Sequence, residues 1–139
     1  MYQPDTIMRT IKQFSEMLAA LLFGARAKGQ VTFNDLEELS LTFTGLSLET
    51  LIALGPQQLR NLYSATGTLD IDKVYISARL LYQLSEQEGE AARALALREK
   101  ALKLLLEVHR VFGDFLNNEH EALVSELQTK LAQPSSVQN

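Results

Sequence analysis

Two neighbouring stretches, about Asp72 to Gln87 and about Glu90 to Phe112, repeat apolar residues at helical spacing over arcs too wide for surface helices. In the second, Ala94, Leu95, Leu97, Ala101, Leu102, Leu104, Leu105, Leu106, Val108 and Phe112 cover roughly 200° of a helical wheel. Arg93, Glu99, Lys100, Lys103, Glu107 and Arg110 fill the rest. A surface helix needs about half that apolar width, so this helix must be contacted from two sides and is expected at the centre. In the first, Val74, Tyr75, Ala78, Leu80, Leu81, Tyr82 and Leu84 leave only a narrow polar stripe of Asp72, Arg79, Gln83 and Glu86. Gly89 hinges the two, which predicts an antiparallel helical hairpin. No segment alternates with period two, so the predicted class is all-α.

The remaining elements are short helices with clear punctuation, apart from a long first one over about Thr6 to Ala27. There Ile7, Ile11, Phe14, Leu18, Leu21, Leu22 and Ala25 share one face, opposite Arg9, Lys12 and Glu16, and should pack on the hairpin. Phe23 falls on the polar side. Thr32 caps the next helix with Asp35 three residues on and Val31 stapled against Leu36. Gly45 ends it in the left-handed conformation. Ser47 caps a shorter helix with Leu46 and Leu51 as its staple, Gly55 closes it, and Pro56 opens another at its first position. Gly67 ends that fourth piece, and Asp70 or Asp72 caps the hairpin's first arm. A last helix over about Asn118 to Ala132 precedes the polar tail "QPSSVQN", residues 133–139, expected to be disordered. The 139 residues then form a single domain, residues 1–132, as a bundle of about six or seven helices.

At the hairpin, "LYQLSEQEGEAARALALREKALKLLLEV" resembles one tetratricopeptide-type helix pair. Leu81, Gly89, Ala94 and Ala101 match that motif's large, turn and small positions. Tyr82, Ser85 and Arg98 depart from it, no proline ends the unit, and no second copy follows at a period of about 34 residues. From Met1 to Val108 the chain resembles a family of small bacterial proteins known as a domain of unknown function. Its start "MYQPDTIMRTIKQFSEMLAALLFG" and middle "LSLETLIALGPQQLRNLYSATGTLDIDKVYISARLLYQLSEQEG" carry the likeness. The resemblance implies a bacterial cytosolic protein with a tetratricopeptide-like helical second half, and it brings no catalytic residues.

Charge and composition exclude several functions. Thirteen basic residues against seventeen acidic ones give a net charge of −4, opposite to the basic face a nucleic-acid binder presents. "ALGPQQL" at Ala53–Leu59 has only Arg60 nearby, so a DNA-backbone contact is not expected. The absence of cysteine removes thiol catalysis and thiolate metal sites. His109 and His120 carry no ligand spacing, and "DIDKV" at Asp70–Val74 lacks the third acid and glycine of a calcium loop. No nucleophile–base pair or phosphate loop can be assembled, so neither an enzyme nor a cofactor is expected. Asp5, Arg9 and Lys12 interrupt the N-terminal apolar pattern, which is unlike a secretory signal, and no apolar run reaches the ~18 residues of a membrane span. Glu16 shares the polar face of the first helix, which argues against a membrane-surface role. The expected compartment is the cytoplasm.

Arg98 and His109 fall near the middle of the widest apolar arc. A buried guanidinium needs a partner or a path to water. An acid of another helix is expected to supply it. The likeliest source is residues 31–54, with four acids and no base, where Asp35, Glu37 and Glu38 are the candidates. The leading functional expectation is a non-catalytic helical module that binds a protein or peptide partner, or self-associates. The alternative is a small-molecule binding protein or enzyme with a pocket near Arg98, His109, Tyr75 and Tyr82.

Overall fold

The computed structural model describes residues 4–28, 31–112 and 118–132. The expected connection at Gly29 and the tail at 133–139 lie outside the described residues. The described residues form seven helices: α1 (Pro4–Lys28), α2 (Phe33–Thr44), α3 (Leu48–Ala53), α4 (Pro56–Leu62), α5 (Ile71–Gln87), α6 (Ala91–Phe112) and α7 (Asn118–Ala132). No strand occurs among the described residues. The chain is all-α.

The boundaries follow from local chemistry. Thr32 accepts from the Asp35 amide at 3.1 Å while the Asp35 carboxylate accepts from the Thr32 amide at 3.0 Å, a reciprocal capping box. Val31 and Leu36 are both buried beside it. Gly45, at φ +78°, donates its amide to the Leu41 carbonyl and stops α2; a side chain there would be strained. Ser47 caps α3 by accepting from the Thr50 amide. Asp70 occupies the cap position of α5 without a side-chain capping bond, and Asp72 sits in its first turn.

α5 holds the centre of the bundle. Ten of its seventeen residues are buried, because α1, α2, α3 and α6 all pack on it. Its buried Ser77 is satisfied by the Tyr63 hydroxyl at 2.7 Å, and burial raises the Tyr63 phenol above its usual value. Phe14, Leu18, Ile11 and Ile7 bring α1 onto this core, as the apolar face of that helix predicts. Phe23, from the opposite face, stays 75% exposed.

α6 pairs with α5 in the expected hairpin but buries a narrower arc than its apolar width predicts. Its fully buried residues are Ala94, Ala101, Leu104, Leu105 and Val108, an arc of about 100° rather than about 200°. α5, α4 and α7 cover that arc, and its far edge stays open among the described residues. Leu95 and Leu106 are each 42% exposed, and Leu102 is half-buried. Arg98 and His109 therefore sit at the margin of the buried arc, not in its middle. The wheel measured how much of α6 is apolar; how many neighbours the chain supplies is a separate matter.

Candidate functional site

α5 and α6 fold back on each other through residues 88–90, and α7 lies across their seam on Leu123 and Leu127. Four charges and a phenol meet there. Arg98 Nη2 donates to Glu86 Oε2 at 3.0 Å, and Lys130 Nζ reaches the same carboxylate at 2.8 Å. Lys130 also lies 3.4 Å from Glu126 and donates to the Tyr82 hydroxyl at 2.7 Å. That hydroxyl donates to Glu126. Burial alone would raise the Glu86 carboxyl, but the hydrogen bonds from Lys130 and Arg98 outweigh it and hold it below the usual carboxylate range. Two cations face two carboxylates, so the cluster has no spare charge for a ligand. It fastens α7 to the hairpin.

The partner of Arg98 is thus a carboxylate of another helix, but not one from residues 31–54. Asp35 is held in its capping box, and Glu37 Oε1 accepts from the Leu48 amide at 2.6 Å, capping α3. Those two carboxylates serve helix N-termini, where negative charge is favoured, and Glu38 lies between α1 and α2 beside Met17 and Leu21. Glu86 wins by nearness, since a short hairpin brings it beside Arg98. The buried Arg98 Nε meets no acceptor among the described residues. Because Glu86 keeps Lys130, Arg98→Ala should cost only about 1 kcal/mol. Arg98→Leu, which removes the orphaned donor and keeps the packing, should melt at or above the parent temperature. A loss of about 3 kcal/mol or more in Arg98→Leu would show that the ion pair dominates instead.

Of the remaining site candidates, Tyr82 meets Arg98 through Lys130 and Glu86, whereas His109 and Tyr75 stand on other turns of α6 and α5. His109 is exposed and lies eleven residues from Arg98, about 16 Å along the same helix. Tyr75 is buried, with its hydroxyl accepting from Arg79 Nη1 at 3.0 Å. Tyr82 is buried within the α7 clasp. Among the described residues no three histidine, aspartate or glutamate side chains gather as a metal site, and no helix is long and apolar enough to cross a membrane.

Concavity lies elsewhere. An open groove of about 390 Å³ runs between the start of α2, the end of α3 and the first half of α6, with Phe33, Ile52, Leu84, Ala96 and Leu97 as its apolar lining. Glu88, Arg93 and Lys100 rim it. Phe33 and Ile52 are 46% and 41% exposed, so the groove opens to water. Lys100 donates to the Leu51 and Ile52 carbonyls, closing the C-terminus of α3, which has no basic residue in its last turn. Burial draws the Lys100 ammonium below the usual lysine range. A second open groove of about 330 Å³ lies between α1 and α2, with Met17, Leu21 and Leu39 against Asp35 and Glu38.

Sequence reasoning missed the first groove. Lys100 reads as one more solvated residue of the polar arc, and Phe33 and Ile52 belong to helices whose packing the wheel cannot place. The one signal is that the last turn of α3 has no basic residue, which leaves its carbonyls in want of a donor without saying which. No family model, curated protein or solved structure matches the chain.

Proposed function

We propose that the protein is a non-catalytic helical interaction module of the bacterial cytoplasm, built around a tetratricopeptide-like hairpin. Its groove between α3 and α6 receives a short apolar segment of a partner protein. One observation carries this reading: aromatic and aliphatic side chains line an open concavity that the described residues leave unfilled. Folding has already ordered this surface, so a partner segment that inserts apolar side chains does not have to build it.

The test is selection of a random peptide library displayed on phage, run in parallel on the parent and on Ala96→Trp. Ala96 is exposed on α6 and lines the groove, so an indole there fills the concavity without touching the core. The parent should enrich peptides with two or more apolar residues, and their affinity for Ala96→Trp should fall about tenfold or more. Equal binding to both proteins, or no enrichment on the parent, overturns the reading.

A further inference from the structure

We propose that the protein pairs with a second copy of itself through α6, the two helices running antiparallel about a two-fold axis at the level of Ala101. This surface is separate from the groove: Leu95, Leu102 and Leu106 form it, whereas Ala96, Leu97 and Lys100 face α3. The three leucines lie within about 40° of one another on the helical wheel, a single stripe. Leu95 and Leu106 are each 42% exposed, and Leu102 between them is half-buried. The polar contacts of α7 are to the Tyr82, Glu86 and Arg98 side of the seam, and Leu95 and Leu106 stay exposed.

The stripe complements itself. Leu95 stands six residues before Ala101 and Leu106 five after it, about 9 and 8 Å along the axis. An antiparallel copy centred there sets Leu95 against Leu106 of the other chain, twice, with the two Leu102 side chains beside the axis. Glu99 and Lys103 flank the stripe on one side, each two residues from Ala101, or about 3 Å. Antiparallel pairing about that axis brings the same flank of both helices together. Glu99 therefore comes level with Lys103 of the second copy, and Lys103 with its Glu99. Both residues are exposed, and neither joins a salt bridge among the described residues. An isologous contact needs opposite charges at equal distances from its axis, and these two supply them.

Because the chain contains no cysteine, single cysteines can report the geometry. Leu95→Cys and Leu106→Cys proteins mixed and mildly oxidised should yield a covalent heterodimer, with little homodimer from either alone. In sedimentation velocity the parent should shift from monomer to dimer with concentration. Glu99→Lys should weaken the dimer about tenfold, and adding Lys103→Glu to the same chain should restore it. Circular dichroism confirms that these surface variants fold. The proposal is overturned by a parent that stays monomeric to about 1 mM. It is overturned equally by Leu95→Cys crosslinking to itself, or by a Glu99→Lys defect that the second charge reversal leaves unrepaired. None of these results depends on whether the groove binds peptide.

Discussion

Phe14→Ala should lose about 3–5 kcal/mol of folding stability, among the largest losses available to a single substitution in this chain. Phe14 is wholly buried, and its ring meets Phe43 of α2 edge to face at 5.5 Å between centroids, with the planes 83° apart. It stands where α1 and α2 meet against α5, so truncation leaves a void lined by three helices that cannot close independently. Urea titration should show the midpoint falling with an unchanged slope, the mark of lost stability without a change in the unfolded chain. A loss below about 1 kcal/mol would mean that α1 is a peripheral strap rather than part of the core.

Leu127→Ala should act differently although Leu127 is equally buried. α7 sits at the edge of the bundle on Leu123, Leu127 and the polar clasp, with the other side chains of residues 121–132 exposed or half-buried. Removing three carbons at Leu127 should cost the docking of α7 about 2–5 kcal/mol. The remaining clasp is half-exposed and contributes little. The loss should appear as local opening. Amide exchange over residues 121–132 should speed up by orders of magnitude, while α5 keeps its protection. A uniform acceleration in every helix would show that α7 belongs to the global folding unit.

The contrast between those two leucine and phenylalanine sites also shows what the sequence makes legible. Caps, glycine stops and apolar periodicity act within a few residues, so Thr32, Ser47, Gly45 and the limits of α5, α6 and α7 could be read directly from it. The core face of α1 could be read for the same reason. Long-range pairing could not. Charge excess along the chain points Arg98 to residues 31–54, whereas the geometry of the hairpin turn sets Glu86 beside it. Lys100 was assigned to solvent because a wheel describes one helix and contains no α3 carbonyls. The apolar width of α6 exceeds what its neighbours in the fold can cover. The chain buries about half of it, and the half left bare is where Leu95 and Leu106 lie.

The most direct test of the interaction-module account is a backbone amide map of the parent protein, recorded by NMR while the tightest peptide from the display selection is added. The account predicts saturable shifts grouped at Phe33, Ile52, Ala96, Leu97 and Lys100, and their disappearance in Ala96→Trp. Shifts confined to Met17, Leu21 and Leu39 of the α1–α2 groove, or none that saturate, would contradict it.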